Sequence, residues 1–189
     1  MKTRKNKKPP SLTLQSTAYH EAGHHAMKRH LGLSMGKVTI KPDHENDTLG
    51  SSAYRHQIFK REIIEAFLEL VRPTPGQVKR IENHIMVCLA GREAELIFRP
   101  GKRGLAGARD DYEQVHIMLH ILVHEFSPQF PVYWKLLLLR TRDILALPGV
   151  WCAVEGLAQA LLERETLSGK ESRKVIMAAF ERRMKAKRT

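Results

Sequence analysis

Several features that would assign a chain to a familiar class are missing or scarce in this one. It has two cysteines, Cys88 and Cys152, far apart and each set in an apolar stretch. A disulfide framework needs more of them and neither has metal-ligand spacing, so both read as buried thiols in a reducing compartment. The longest uninterrupted apolar run is LLLL at 136–139, far too short to span a bilayer. No apolar h-region follows the basic N-terminus, so no signal peptide is expected. The expected location is the cytoplasm, with no membrane partner. There is no low-complexity tract and no internal repeat. Without zinc-finger spacing or interleaved aromatic and basic residues, no specific nucleic-acid recognition is expected either.

What is present is an ordinary globular composition, 42% hydrophobic and 28% charged over 189 residues, enough for one domain with a real core. The net charge of +12 is the unusual bulk feature. Much of it lies in MKTRKNKKPP and ERRMKAKRT, which read as basic tails at 1–10 and 181–189 around a domain at 11–180. Such runs are more often solvated than recognition surfaces. A basic tail can still hold a protein near nucleic acid, anionic lipid or an acidic partner through a salt-sensitive attraction.

The pattern of apolar residues predicts a mainly α fold with a small β-sheet beside the first helix. That helix is expected over 11–31, with Ser11 as N-cap and Gly32 as stop. KVTI at 37–40 reads as a strand, KPDHEND as a turn and TLGSSAY at 48–54 as a second extended stretch. Helices follow at about 57–71, ended by RPTPG, and at 77–98, with Val78, Ile81, Ile85, Leu89 and Ile97 at helical spacings. RPGKRGLAGA at 99–108 is a loop. A helix from the DD pair to SPQFP, two more at about 132–146 and 150–165, and a last one from Lys170 complete the chain.

The first helix carries YHEAGHHA at 19–26. His20, Glu21 and His24 satisfy H-E-x-x-H, which offers two imidazoles to a metal and a carboxylate to water. Residues four apart differ by about 40° around a helix, so both imidazoles leave one face. A catalytic zinc takes three protein ligands and keeps one position open, so a third is needed. His30 has the spacing of a longer zinc motif, but that motif requires a glycine where this chain has Met27. On an unbroken helix His30 points about 80° away from His20 and is rejected. In GARDDYEQV, Asp110 and Glu113 have capping-box spacing, which makes Asp110 the N-cap and leaves the Asp111 carboxylate available. On spacing alone the plainer reading carries more weight: both aspartates complement the helix dipole.

Five blocks in order, AYHEAGH, KVTI, LG, CLAGREAELIF and GARDDYE, resemble the peptidase domain of the FtsH-type membrane-anchored AAA zinc proteases. LAQALLERETLSGKE looks like that family's C-terminal helix, so the likeness runs from about Thr17 to Lys174. It implies an FtsH-peptidase-like helical domain and a zinc metalloendopeptidase cofactored by Zn2+. Its ligands would be His20, His24 and Asp111, with Glu21 as general base. It also implies a polypeptide substrate, unfolded or flexible, added as an extra strand beside Val38, Thr39, Ile40, Leu49 and Gly50. An oligomer, as in the family, and a separate ATPase or unfoldase as partner belong to the same expectation.

The departures matter. Arg109 and Asp110 stand where the family has serine and asparagine, GREAELIF is one residue short, and the stretch from Tyr54 to Leu89 is longer. No Walker A glycine loop is present, so ATP-driven unfolding does not carry over. A catalytically inactive adaptor directed by its basic tails is the alternative, against which the intact Glu21 argues.

His116, His120 and His124 fall at i, i+4 and i+8. A polar stripe or hydrogen bonds to neighbouring helices accounts for them more simply than a second metal site. His25 reads as structural. Glu95 reads as a salt-bridge or capping group rather than a contact to a zinc histidine. YWKLLLLRTRDIL reads as a core helix with its charges on the opposite face.

Overall fold

The computed structural model describes residues 12–42, 51–52, 73–101, 108–124 and 126–186. The helix expected at 57–71, Ser11, Leu49 and Gly50, and residues 102–107 of the glycine-rich loop lie outside them. The described residues are mainly helical with a small antiparallel sheet, as the apolar spacing requires.

Helix α1 spans Leu12–His30 and stops where Gly32 takes a positive φ of 70°. Helix α2 spans Pro75–Phe98, two residues longer at its start than the apolar spacing indicates. The PTPG segment opens this helix. Thr74 and Gln77 form a reciprocal capping box and proline occupies the first turn, where its missing N–H costs nothing. Helix α3 spans Arg109–Leu122, α4 Gln129–Ala146, α5 Pro148–Arg164 and α6 Gly169–Ala186. Residues 181–186 of the expected basic tail are therefore the last turns of α6.

Strands β1 (Val38–Thr39), β2 (Ser51–Ser52) and β3 (Thr166–Leu167) pair antiparallel in the order β2-β1-β3. Val38 faces Ser52 and Leu167, and Thr39 faces Ser51 and Thr166. The third strand was not expected. Glu165 ends α5 in the left-handed region at φ 62°, and its carbonyl accepts from the Ile40 N–H at 2.9 Å. That turn lays the ETL segment along β1.

Helix α1 packs against α2 and α5 and is buried without interruption from His20 to Lys28. Tyr19 stacks on Phe98 of α2, ring centroids 3.9 Å apart, and lies 6.0 Å from Trp151 of α5. Small residues let α1 and α2 approach closely: Ala18, Ala22 and Ala26 on one side, Ala90 and Ala94 on the other, all buried. A Cβ added at Gly23 would stand 2.5 Å from the Ala90 carbonyl oxygen, so only glycine fits that crossing.

The LLLL run does not behave as a uniform core segment. Leu137 is fully buried, while Leu136 and Leu139 are 41% and 45% exposed. Cys88 and Cys152 are not joined in a disulfide and are half-buried rather than buried. No single helix among the described residues is long and apolar enough to cross a membrane.

Candidate metal centre

A helix buried on all sides should be apolar on all sides. Over the nine consecutive buried residues from His20 to Lys28, α1 instead carries His20, Glu21, His24, His25 and Lys28. Burying ionisable groups is costly unless each is paired or ligates an ion, so this helix is not written for stability alone.

Two of these side chains meet a third from elsewhere. Nε2 of His20 lies 3.0 Å from Nε2 of His24. Oδ2 of Asp111, in the first turn of α3, lies 2.9 Å from the first and 3.3 Å from the second. Donors bound tetrahedrally at roughly 2.0–2.1 Å stand about 3.3 Å apart, so the three atoms nearly span one face of such a tetrahedron. Together they form a group that could hold a metal ion.

The donors are oriented for this. Nδ1 of His24 donates to the Val87 carbonyl at 2.7 Å. In the neutral ring that bond leaves the Nε2 lone pair facing His20 and Asp111. On the far side of His20, Nδ1 lies 3.9 Å from the Glu95 carboxylate, itself held by Arg92 at 3.0 Å. Glu95 is thus an ion-pair partner, as expected, and also a negative charge behind the first histidine. Burial would raise the Asp111 pKa, but the imidazoles, His24 foremost, hold it well below the usual carboxylate range.

Space for an ion comes from glycine. A Cβ at Gly91 of α2 would lie 2.5 Å from Nε2 of His24 and 2.7 Å from Nε2 of His20. The missing side chain is a cradle beneath the ring nitrogens, and the donor set fits a borderline ion such as zinc. The sequence signal for Gly91 was its place among Ala90 and Ala94 at small-residue spacing, legible only once α2 is known to cross α1.

Glu21 is 5% exposed and follows His20 on the same helix. Lys28, two turns on, is 1% exposed. Burial pulls its pKa down to about 8, opposed mainly by the Glu21 charge. His84 of α2 is pushed down to about 4 by burial and then by Lys28. His25 is buried and bonds the Gly36 carbonyl at 3.2 Å, in keeping with a structural role. His30 is exposed at the end of α1, away from the cluster.

Two local expectations need correction. Asp110 is not the N-cap of α3: that position is Ala108, without a side-chain cap bond. The helix starts earlier than the capping-box spacing implied, because Arg109 is already helical and takes Glu113 into an i,i+4 pair at 3.2 Å. His124 does not continue the row of His116 and His120, since α3 ends at Leu122.

Val38 and Ile40 are buried, and β1 is paired on both sides. Thr39 turns its hydroxyl to Thr166 at 2.7 Å. An added peptide cannot pair with β1 without displacing a neighbour. Among the described residues, β2 pairs on one side only and packs against α1. No protein-family model matches the chain, and no curated protein matches it.

Proposed function

We propose that the chain is a zinc metalloendopeptidase of the FtsH-peptidase type. The observation that carries this reading is the convergence of His20, His24 and Asp111 on one point, with Glu21 buried beside them on the helix that supplies both histidines. A zinc ion held by the three would polarise a peptide carbonyl and make water a stronger acid.

The chain's own residues supply the rest. Glu21 accepts a proton from the attacking water and returns it to the leaving amine, the role of a positioned carboxylate. The Val87 carbonyl holds the His24 imidazole through its far nitrogen, and Glu95 places a negative charge behind that of His20. An extended substrate would add as a further strand beside the small sheet. Backbone pairing of that kind reads shape more than sequence, which favours unfolded or flexible polypeptide. A separate ATPase or unfoldase is the partner such an enzyme would need for folded substrates.

The test is casein cleavage by the purified chain, measured together with zinc per chain. Near-stoichiometric zinc and cleavage that a chelator abolishes and zinc restores are expected. Less than half an equivalent of tightly bound zinc overturns the reading. Bound zinc without hydrolysis would favour the adaptor.

A further inference from the structure

We propose that His116, exposed, and His120, half-buried, form a second chelating site for a divalent transition-metal ion, taking zinc, nickel or copper between the two imidazoles. The proposal does not depend on the peptidase reading. The two residues sit on successive turns of α3, with Nδ1 of His116 and Nε2 of His120 3.1 Å apart. Nitrogens bound to one ion at about 2.0–2.1 Å stand roughly 2.9–3.4 Å apart for angles between cis-square and tetrahedral. The pair already has that bite.

The rings are held from the side. The Phe130 ring of α4 lies 5.1 Å from the His116 ring and 5.2 Å from that of His120, and Trp134 lies 6.5 Å from His116. Aromatic walls restrict the rotamers of both histidines, so less freedom is lost when an ion is bound. His116 follows Asp111 by five residues, which turns it about 140° around α3, so this site and the buried cluster use different faces of one helix. His124 takes no part; its Nδ1 accepts the Phe126 N–H at 3.3 Å, beyond the helix end.

The chemistry balances simply. In the neutral pair one nitrogen donates a hydrogen to the other. Ligation by both requires the donating ring to move its proton to its other nitrogen through solvent, with no net proton release. Water completes the coordination shell. Imidazole donors suit zinc, copper and nickel and give no advantage to magnesium or calcium. Without a carboxylate the site should exchange its ion more readily than the buried one.

The test uses the full chain, first loaded with zinc and freed of excess, then titrated with Ni2+ in equilibrium dialysis. The wild type should take up one further equivalent, unaffected by millimolar-scale Mg2+. His116→Gln and His120→Gln should each lose that equivalent while keeping their zinc, and His124→Gln should retain it. Asp111→Asn should also show it, so a failed buried site and a failed surface site are told apart. Uptake below half an equivalent in the wild type, or undiminished uptake in His116→Gln, overturns the proposal.

Discussion

Oδ2 of Asp111 lies 2.9 Å from Nε2 of His20, although ninety-one residues separate them in the chain. An aspartate that merely complemented a helix dipole would have no reason to meet a buried imidazole. Asp111→Asn keeps the shape and removes the charge that a divalent ion needs. It should lose zinc to a competing chelator at concentrations the wild type withstands, and lose cleavage with it. Retention equal to wild type would place the third ligand elsewhere, with Glu95 next to test.

Asp110 provides the contrast. It lies in the same first turn but is exposed and is not the cap. Asp110→Asn should leave zinc retention under the chelator unchanged, while losing the charge's interaction with the helix dipole, about 0.3–1 kcal/mol at low salt, read from thermal melts.

Gly91 bears on geometry rather than ligand chemistry. Gly91→Ala puts a methyl group within 2.7 Å of both ring nitrogens, so the rings or the α1–α2 crossing must shift. Overpacking of this kind costs about 1–3 kcal/mol. Zinc retention in Gly91→Ala should fall by more than its melting temperature predicts, when compared with a core variant of equal stability such as Ile85→Val or Leu89→Ala.

Lys28 and His84 both contribute to the pH dependence of stability, and His25, which burial lowers to about 3, adds to it at the acid end. The Lys28 pKa falls from 10.5 in the unfolded chain to about 8 when folded. The unfolded state therefore binds more protons between those values, and stability rises with pH from about 8 to 10.5, by up to about 3 kcal/mol. Lys28→Met should lack that rise and be more stable than wild type at neutral pH. His84 moves from 6.5 to about 4, so its contribution is complete above pH 6.5 and is lost as pH falls towards 4. His84→Gln should remove about one proton from the uptake on unfolding near pH 5. Denaturant melts from pH 4 to 10.5 measure both.

His20, Glu21 and His24 were legible because their spacing is a property of one helix, and periodicity finds helices well. Asp111 was only half legible: its first-turn position follows from the sequence, but its meeting with α1 depends on how α2 carries α3 across. Gly23 and Gly91 could not be found locally, since what a missing Cβ permits is decided by the other helix. The capping box at Thr74 and Gln77 was written plainly in the sequence yet obscured by the prolines around it. The one assumed at Asp110 had the right letters, but the helix already begins at Arg109, after Ala108. β3 escaped notice because two residues show no alternation; it exists only through its pairing with β1.

The most direct measurement is zinc content and peptide cleavage together in Glu21→Gln. The amide keeps the size of the side chain and its place on α1 but cannot take a proton from water. The variant should hold zinc as the wild type does, near one equivalent per chain, while casein cleavage falls by at least about a hundredfold, the scale of a lost general base. Cleavage at the wild-type rate in a zinc-loaded Glu21→Gln protein would contradict the account.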